Sequence, residues 1–227
     1  MKLSVLIPIY NEATTLRKIV ERVLSVDLDK EIILVNDAST DGTPKIIEEL
    51  QKEYAHLIVF HHERNLGKGA AIRTALRGVS GDYIIIQDAD LEYDPQEYHK
   101  MLEPVRRFHA QVVYGSRFKG VCKNMFCSRF LGNKFLSFVT DMLYNTTLSD
   151  METCYKLIET NLLKNISLRS KGFELEPEIT AKLLRKKIRI FEVPISYAGR
   201  GYEEGKKITW KDGFVALWTL LKYRFVD

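Results

Sequence analysis

With 227 residues, 26.3 kDa, 45% apolar and 28% charged composition, the chain can bury one sizeable core and is neither a disordered nor a fibrous sequence. A net charge of +4 is too small to point to nucleic acid, and no stretch reaches the roughly 18 apolar residues of a spanning helix. Cys122, Cys127 and Cys154 have neither an even count nor metal-ligand spacing, so free thiols in a reducing compartment are expected.

Leu3 to Ile9 reads as a buried strand ended by Pro8, Tyr10, Asn11 and Glu12. Leu16, Ile19, Val20, Val23 and Leu24 then repeat at helical spacing, and Glu31 to Val35 is a second apolar strand. NDASTDGTP follows as a loop in which Thr43-Pro44 begins a helix running to about Tyr54. Leu57 to Phe60 reads as a third strand, and the glycine-rich Asn65-Leu-Gly-Lys-Gly leads into a helix reaching about Leu76. Tyr83 to Ile86 is a short, fully apolar run, a central strand. The alternation of strand and helix predicts a mostly parallel sheet flanked by helices, an α/β fold.

Further on, Pro95 to Phe108 reads as a helix with an internal Pro104, and Gln111 to Tyr114 as a strand. Cys127 to Leu143 carries apolar and aromatic residues around much of its circumference and is expected to pack in the core, with lipid contact as the alternative. Asp150 to Leu157 is a polar-to-apolar stretch, Glu174 to Lys187 is helical, and Ile188 to Ser196 is a strand. Residues 198–207 are expected to form a mobile loop, and 209–223 an amphipathic helix with Phe214, Leu217, Trp218 and Leu221 on one side. The last third is basic, which suits a polyphosphate ligand or an anionic membrane surface.

Loops at Pro8 to Glu12, Asn36 to Thr43 and Gln87 to Glu92 all follow the carboxyl ends of strands, where open α/β sheets bind ligands. No G-x-G-x-x-G stands between the first strand and helix, which argues against a dinucleotide-binding domain. In extended backbone, Asp88, Asp90 and Glu92 would share one face, and a hard cation would relieve their mutual repulsion. The alternative is an ordinary acidic, solvated junction. Tyr10 can stack on a base, Glu12 and Asp37 can accept from ribose or base, and Lys68 with its neighbouring amides can meet phosphate. Helix-entry and turn roles would account for the same residues.

With Asp37, Lys68, Asp88, Asp90 and Arg117 near strand ends, the chain resembles the family 2 glycosyltransferases of the GT-A fold, and within them the dolichyl-phosphate or polyprenyl-phosphate mannosyl and glucosyl synthases. The resemblance runs through IPIYNE, VNDASTDGT, NLGKGAA, QDADLE, GSR, SDMETCYKL, GFELEPEI and VPISYAGR, nearly the whole chain. It implies one GT-A domain over residues 1–227 that moves a hexose, with inversion, from GDP-mannose or UDP-glucose to a polyprenyl phosphate. Pro8, Tyr10, Glu12, Asp37, Lys68 and Asp88 would then hold the nucleotide, and Asp88, Asp90 and Glu92 would hold Mg²⁺ or Mn²⁺. Arg117, Arg129, Arg200 and Lys206 would bind the acceptor phosphate, with Asp90, Arg117 and Asp150 serving the chemistry. A phosphomonoester already carries a nucleophilic oxygen and needs no base, whereas a glycan or lipid hydroxyl would make Asp150 the general base. Two departures bear on sugar and acceptor: Thr153-Cys-Tyr-Lys156 replaces a Ser-Gly-Phe-Arg run, and Arg200-Gly-Tyr-Glu-Glu-Gly-Lys206-Lys207 replaces an Arg…Ser-Lys pattern in the late loop. Glu92, where the lipid-phosphate branch often has an uncharged residue, bears on the number of direct metal ligands. The expected partners are a nucleotide sugar, a polyprenyl phosphate and the cytoplasmic membrane face, reached directly or through a small membrane protein. A degenerate, non-catalytic nucleotide-binding protein is the remaining alternative.

Overall fold

The computed structural model describes residues 1–200 and 210–226. Its frame is a seven-stranded sheet whose middle comes from the apolar runs of the first half. β1 (Leu3–Ile9) lies between β2 (Lys30–Asn36) and β4 (Tyr83–Ile86), parallel to both, with Ile7 beside Leu34 and Leu6 beside Ile86. β3 (Ile58–His61) extends the parallel set at one edge. Val5, Leu6, Ile7, Ile33, Leu34, Ile84 and Ile85 are fully buried, as strands covered on both faces require.

Helices α1 (Leu16–Leu24), α2 (Thr43–Glu53) and α3 (Lys68–Ala75) connect these strands. After a 3-10 turn at Pro95–Glu97 come α4 (Tyr98–Phe108), which tolerates Pro104, and β5 (Val112–Ser116). The sheet is then completed by a strand that the sequence reading passes over. β7 (Lys156–Glu159) inserts antiparallel between β4 and β5, pairing Ile158 with both Ile84 and Val112. Four residues, KLIE, are too few to display a period, and the neighbours on either side make them a strand. β8 (Phe191–Pro194) pairs with β5 at the other edge, giving the order β3-β2-β1-β4-β7-β5-β8. β6 (Cys122–Lys123) and β9 (Tyr197–Ala198) form a separate two-stranded ribbon.

The remaining helices are α5 (Cys127–Tyr144), α6 (Thr160–Lys164), α7 (Leu175–Arg185) and α8 (Trp210–Phe225). The expectation of core packing for α5 is corrected here. It buries Leu136, Ser137 and Thr140, while Phe130, Leu131, Phe135, Phe138 and Met142 are exposed. Leu136 packs with Met151, Ala181, Ala216, Leu220 and Tyr223 in a small second core joining α5, α7 and α8. That core is one helical stripe wide, so the rest of the apolar circumference of α5 faces outward, next to Phe214 and Trp218 of α8, also exposed. Among the described residues no helix is long and apolar enough to cross a membrane. The expected loop at 198–207 lies, from residue 201 on, outside the described residues, as do Lys206 and the first residue of the expected 209–223 helix.

Candidate active site

Because β1, β2 and β4 are parallel, their carboxyl ends open on one edge of the sheet, and the loops after them meet there. The first two loops are stitched together. Asn11, in the left-handed region at φ 52°, donates its N–H to Ser39 Oγ and accepts from Thr40 N, while Glu12 N–H donates to Thr43 Oγ1. Pro8 and Tyr10 are half-buried beside this junction. Asp37, expected to face a nucleotide, is buried and holds the 65–67 loop. Its carboxylate accepts from Leu66 N and Gly67 N at 2.8 Å each and lies 2.7 Å from His62 Nδ1. Gly67 has a φ of 91°, and a side chain there would run into the Lys171 carbonyl; Gly69 is as tightly crossed by the Ser170 carbonyl. These glycines let the segment before α7 pass directly over the start of α3, which brings Glu176 to Lys68.

Lys68 is nearly enclosed, and its ammonium sits 2.8 Å from both Asp88 Oδ1 and Glu176 Oε1. Burial works against its charge, yet Asp88, Cys154 and Glu176 hold its pKa well above the usual lysine range. Burial likewise opposes ionisation of Asp88, and Lys68 outweighs it, keeping that carboxyl below its ordinary value.

The acidic loop is not extended. β4 ends at Ile86, Gln87 is anchored by the hydroxyls of Tyr98 and Tyr155 at 2.7 and 2.6 Å, and Leu91 turns the chain with φ 63°. Asp88, Asp90 and Glu92 therefore do not share one strand face. Asp88 meets Lys68, Asp90 Oδ2 lies 3.0 Å from Arg200 Nη2, and Glu92 accepts from Tyr197 OH at 2.7 Å and Arg200 N at 2.9 Å. Arg200 also reaches Glu12 Oε2 at 3.2 Å, so it is held among three carboxylates of the site.

Among the described residues no three His, Cys, Asp or Glu side chains are grouped as a metal-ligand set. The turn at Leu91 points the Glu92 carboxylate to the β9 segment, where Tyr197 OH and Arg200 N donate to it. What remains fits a smaller arrangement. Mg²⁺ is commonly held by one or two carboxylates plus substrate phosphates, and Asp88 and Asp90 supply two hard oxygen donors. Burial, with Asp88 and Glu92 beside it, pushes Asp90 up to about 7.

The other half of the site lies at the carboxyl end of β5. Asp150 is wholly buried, and its two oxygens receive Arg117 Nε and Nη2 at 2.7 Å each and Arg117 N at 2.9 Å. Arg117 also lies over the Tyr197 ring, 5.3 Å from its centroid. Both Asp150 oxygens are thus engaged by Arg117. Arg129, near the start of α5, lies over the Phe126 ring at 5.2 Å. A cavity of about 330 Å³ lined by Asn124, Met125, Phe126 and Arg200 lies at this opening. A larger cleft of about 420 Å³ lies at the opposite end of the sheet, by Ser80, Asp82, Glu159 and Lys164. None of the site residues reaches it, so chemistry and not volume locates the site.

The sequence reading misses Glu152, Lys156, Glu176 and Tyr197 as individual site residues. Lys156 is fully buried, donates to the carbonyls of Met151 and Thr153, and has its pKa lowered by burial despite Glu176 and Glu152. Burial and Glu176 push Glu152 up to about 7. The signal for Glu152, Lys156 and Glu176 lies in the motifs SDMETCYKL and GFELEPEI, and that for Tyr197 in VPISYAGR.

The chain was compared with known proteins on sequence and on structure. It is 30% identical over 235 residues to a UDP-N-acetylglucosamine–dolichyl-phosphate N-acetylglucosaminyltransferase of Methanococcus voltae, covering 95% of this chain and 93% of that protein. It is 27% identical to a dolichol-phosphate mannosyltransferase of Pyrococcus furiosus, covering 91% of this chain but only 59% of that protein. A glucosyl-3-phosphoglycerate synthase of Mycobacterium tuberculosis, crystallised with Mn²⁺, UDP-glucose and phosphoglyceric acid, superposes with a TM-score of 0.75 at 17% identity, over all of this chain and 80% of that one. That likeness carries the fold, GT-A. The model of Glycosyl transferase family 2 matches residues 4–167, from the first strand through the antiparallel one, and the chain accordingly belongs to the family 2 glycosyltransferases.

Proposed function

We propose that this chain moves a hexose, with inversion, from a nucleoside diphosphate sugar to a polyprenyl or dolichyl phosphate at a membrane surface, through one domain spanning 1–227. The observation that carries the acceptor assignment is the commitment of Asp150 to Arg117. A hydroxyl acceptor needs a base, whereas a phosphomonoester brings its own negative oxygen and needs cations. The names of the M. voltae and P. furiosus relatives, which specify dolichyl phosphate or dolichol phosphate, support the same acceptor.

On this reading Pro8, Tyr10, Glu12 and Asp37 border the nucleoside, with Asp37 acting through the 65–67 loop it organises. Lys68 faces the diphosphate, and Asp88 and Asp90 would hold Mg²⁺ or Mn²⁺, the ions present in the mycobacterial synthase crystals. Bound there, such an ion would supply positive charge as the leaving diphosphate gains negative charge. Arg117, held rigid by Asp150 and Tyr197, presents the edge of its guanidinium outside the fork to the acceptor phosphate, joined by Arg129. Lys206, outside the described residues, is assigned to the same phosphate. Arg200, which bridges Glu12 and Asp90, is assigned to the phosphates from that side of the site. An acceptor phosphate oxygen then attacks the anomeric carbon from the face opposite the diphosphate. The new carbon–oxygen bond forms as the old one breaks, and the nucleoside diphosphate leaves with its electron pair.

The exposed aromatic residues of α5 and α8 support peripheral binding to the cytoplasmic membrane face, with the basic last third adding attraction to anionic lipid. The test is a donor panel of GDP-mannose, UDP-glucose and UDP-N-acetylglucosamine with Mn²⁺ or Mg²⁺ and polyprenyl phosphate in anionic liposomes, read by mass spectrometry of the lipid fraction. A lipid-linked sugar phosphate is the expected product. Transfer to a soluble sugar, with no lipid-linked product from any donor, would overturn the acceptor assignment.

A further inference from the structure

Glu176 is the least satisfied buried carboxylate around the site. It is 4% exposed, yet Oε2 has no hydrogen-bond donor, and Oε1 faces Lys68 at 2.8 Å without hydrogen-bond alignment. Its helix neighbour Glu178 shows the contrast: it accepts from Arg169 N, Ser170 N and Lys182 Nζ. Two further enclosed oxygens have no partner among the described residues: Oε1 of Glu152, whose carboxyl feels the charge of Glu176, and Oγ1 of the adjacent, wholly buried Thr153. Leaving buried acceptors unpaired is costly, so a set of them in a ligand site marks where a ligand supplies donors.

We propose that Glu152 and Glu176 seat the transferred sugar, accepting hydrogen bonds from its hydroxyls. This rests on the donor reading above and assigns the part of the donor that reading leaves open. Position supports it. Lys68 touches Glu176 on one side and Asp88 on the other, so Glu176 lies one ammonium away from the diphosphate end. Glu152 is two residues from Asp150, which holds Arg117 at the acceptor end. Between leaving group and acceptor is where the sugar must lie. The ligand class follows from what is missing. Lys156, next to both glutamates, and Lys68 already supply positive charge, so the lack is of hydrogen-bond donors. A neutral polyol meets that lack, and a further anion would be repelled. That Glu152 is pushed up to about 7 by burial and by Glu176 agrees with two carboxyls crowded in one enclosure. A site built to bond hydroxyls discriminates strongly against sugars that lack or misplace them, which would make these two residues determinants of donor sugar.

Titration calorimetry with Mn²⁺ present tests this. UDP and GDP are compared with UDP-N-acetylglucosamine, UDP-glucose and GDP-mannose, on the parent protein and on Glu176→Gln and Glu152→Gln. The expected result is that each variant binds the preferred nucleotide sugar at least about tenfold more weakly, with binding of the matching free diphosphate within about twofold for Glu152→Gln and, for Glu176→Gln, which also touches Lys68, changed less than binding of the nucleotide sugar. An unchanged affinity for the nucleotide sugar, or an equal loss for sugar nucleotide and free diphosphate, would overturn the assignment while leaving the donor reading intact. Failure of the parent protein to bind any of these nucleotides would overturn both. Should Glu176→Gln not fold, Glu152→Gln and a set of monodeoxy donors titrated against the parent protein carry the test. At least one deoxy position should weaken binding about tenfold, and no loss at any position refutes the proposal.

Discussion

Replacing Asp150 by Asn should damage stability and reaction together. Asp150 is 0% exposed and takes three N–H donors from Arg117. Asn preserves the shape but removes the charge and turns one acceptor into a donor facing other donors, leaving the buried guanidinium unpaired. Breaking one side of a buried pair costs about 3–5 kcal/mol. With an unfolding entropy of about 2.1 cal/mol/K per residue over 227 residues, the melting midpoint should fall by about 6–10 °C. Thermal unfolding followed by circular dichroism measures this, alongside transfer to polyprenyl phosphate. The double variant Arg117→Met/Asp150→Leu removes both charges, so most of the midpoint should return while transfer stays lost, because the phosphate-binding guanidinium is gone. If Asp150 were instead a free base, Asp150→Asn would abolish transfer and leave the midpoint unchanged. A variant melting within about 2 °C of the parent, or transferring at the parent's rate, would refute the reasoning.

Asp90→Ala should lower transfer by about 10²–10³-fold with the far-ultraviolet spectrum unchanged, and metal-dependent transfer at the parent's rate would remove Asp90 from the site. At the far end of the sheet, burial would raise the Glu31 pKa, but Lys2, Ser4 and Ser80 outweigh it and hold it at about 2 against an ordinary 4.5. The stabilisation, about 3 kcal/mol, is therefore fully present above pH 4.5 and lost as pH falls towards 2. Denaturant titrations of Glu31→Gln and parent should differ at pH 7 and converge near pH 2, and a constant difference would disprove this. On the membrane side, Phe138→Asp and Trp218→Asp, at positions 59% and 65% exposed, should each weaken binding to anionic liposomes about tenfold or more with the melting midpoint unchanged. Flotation equal to the parent's for both variants would show that this face does not meet lipid.

The half of the candidate site at the ends of the parallel strands was legible because it is local. Asp37, Lys68 and Asp88 each follow an apolar strand within a few residues, and parallel strands deliver their following loops to the same edge, so counting strands was enough to gather these residues. The same locality made β1, β2 and β4 readable as one sheet, since apolar runs such as Ile32 to Val35 and Tyr83 to Ile86 leave little choice but burial. β7 was not readable, because KLIE becomes a strand through pairing with β4 and β5, which come from distant parts of the chain.

The partners of the charges were equally hidden. Sequence placed Glu92 with Asp88 and Asp90 on an alternation that holds in extended backbone, and one left-handed residue, Leu91, sends it to Tyr197, 105 positions away. Asp150 read as a base or a positioning residue until Arg117, 33 residues earlier, was found closed around it. Glu176 had no role assigned in the sequence, because its contact with Lys68 depends on Gly67 and Gly69 letting its segment cross the start of α3. Which face of α5 is buried depended on where α7 and α8 pack against it. An apolar run dictates that its residues leave water, and it does so through its own composition. A charge dictates only that it find a partner in space, and in this chain the partners come from loops that the fold alone brings together.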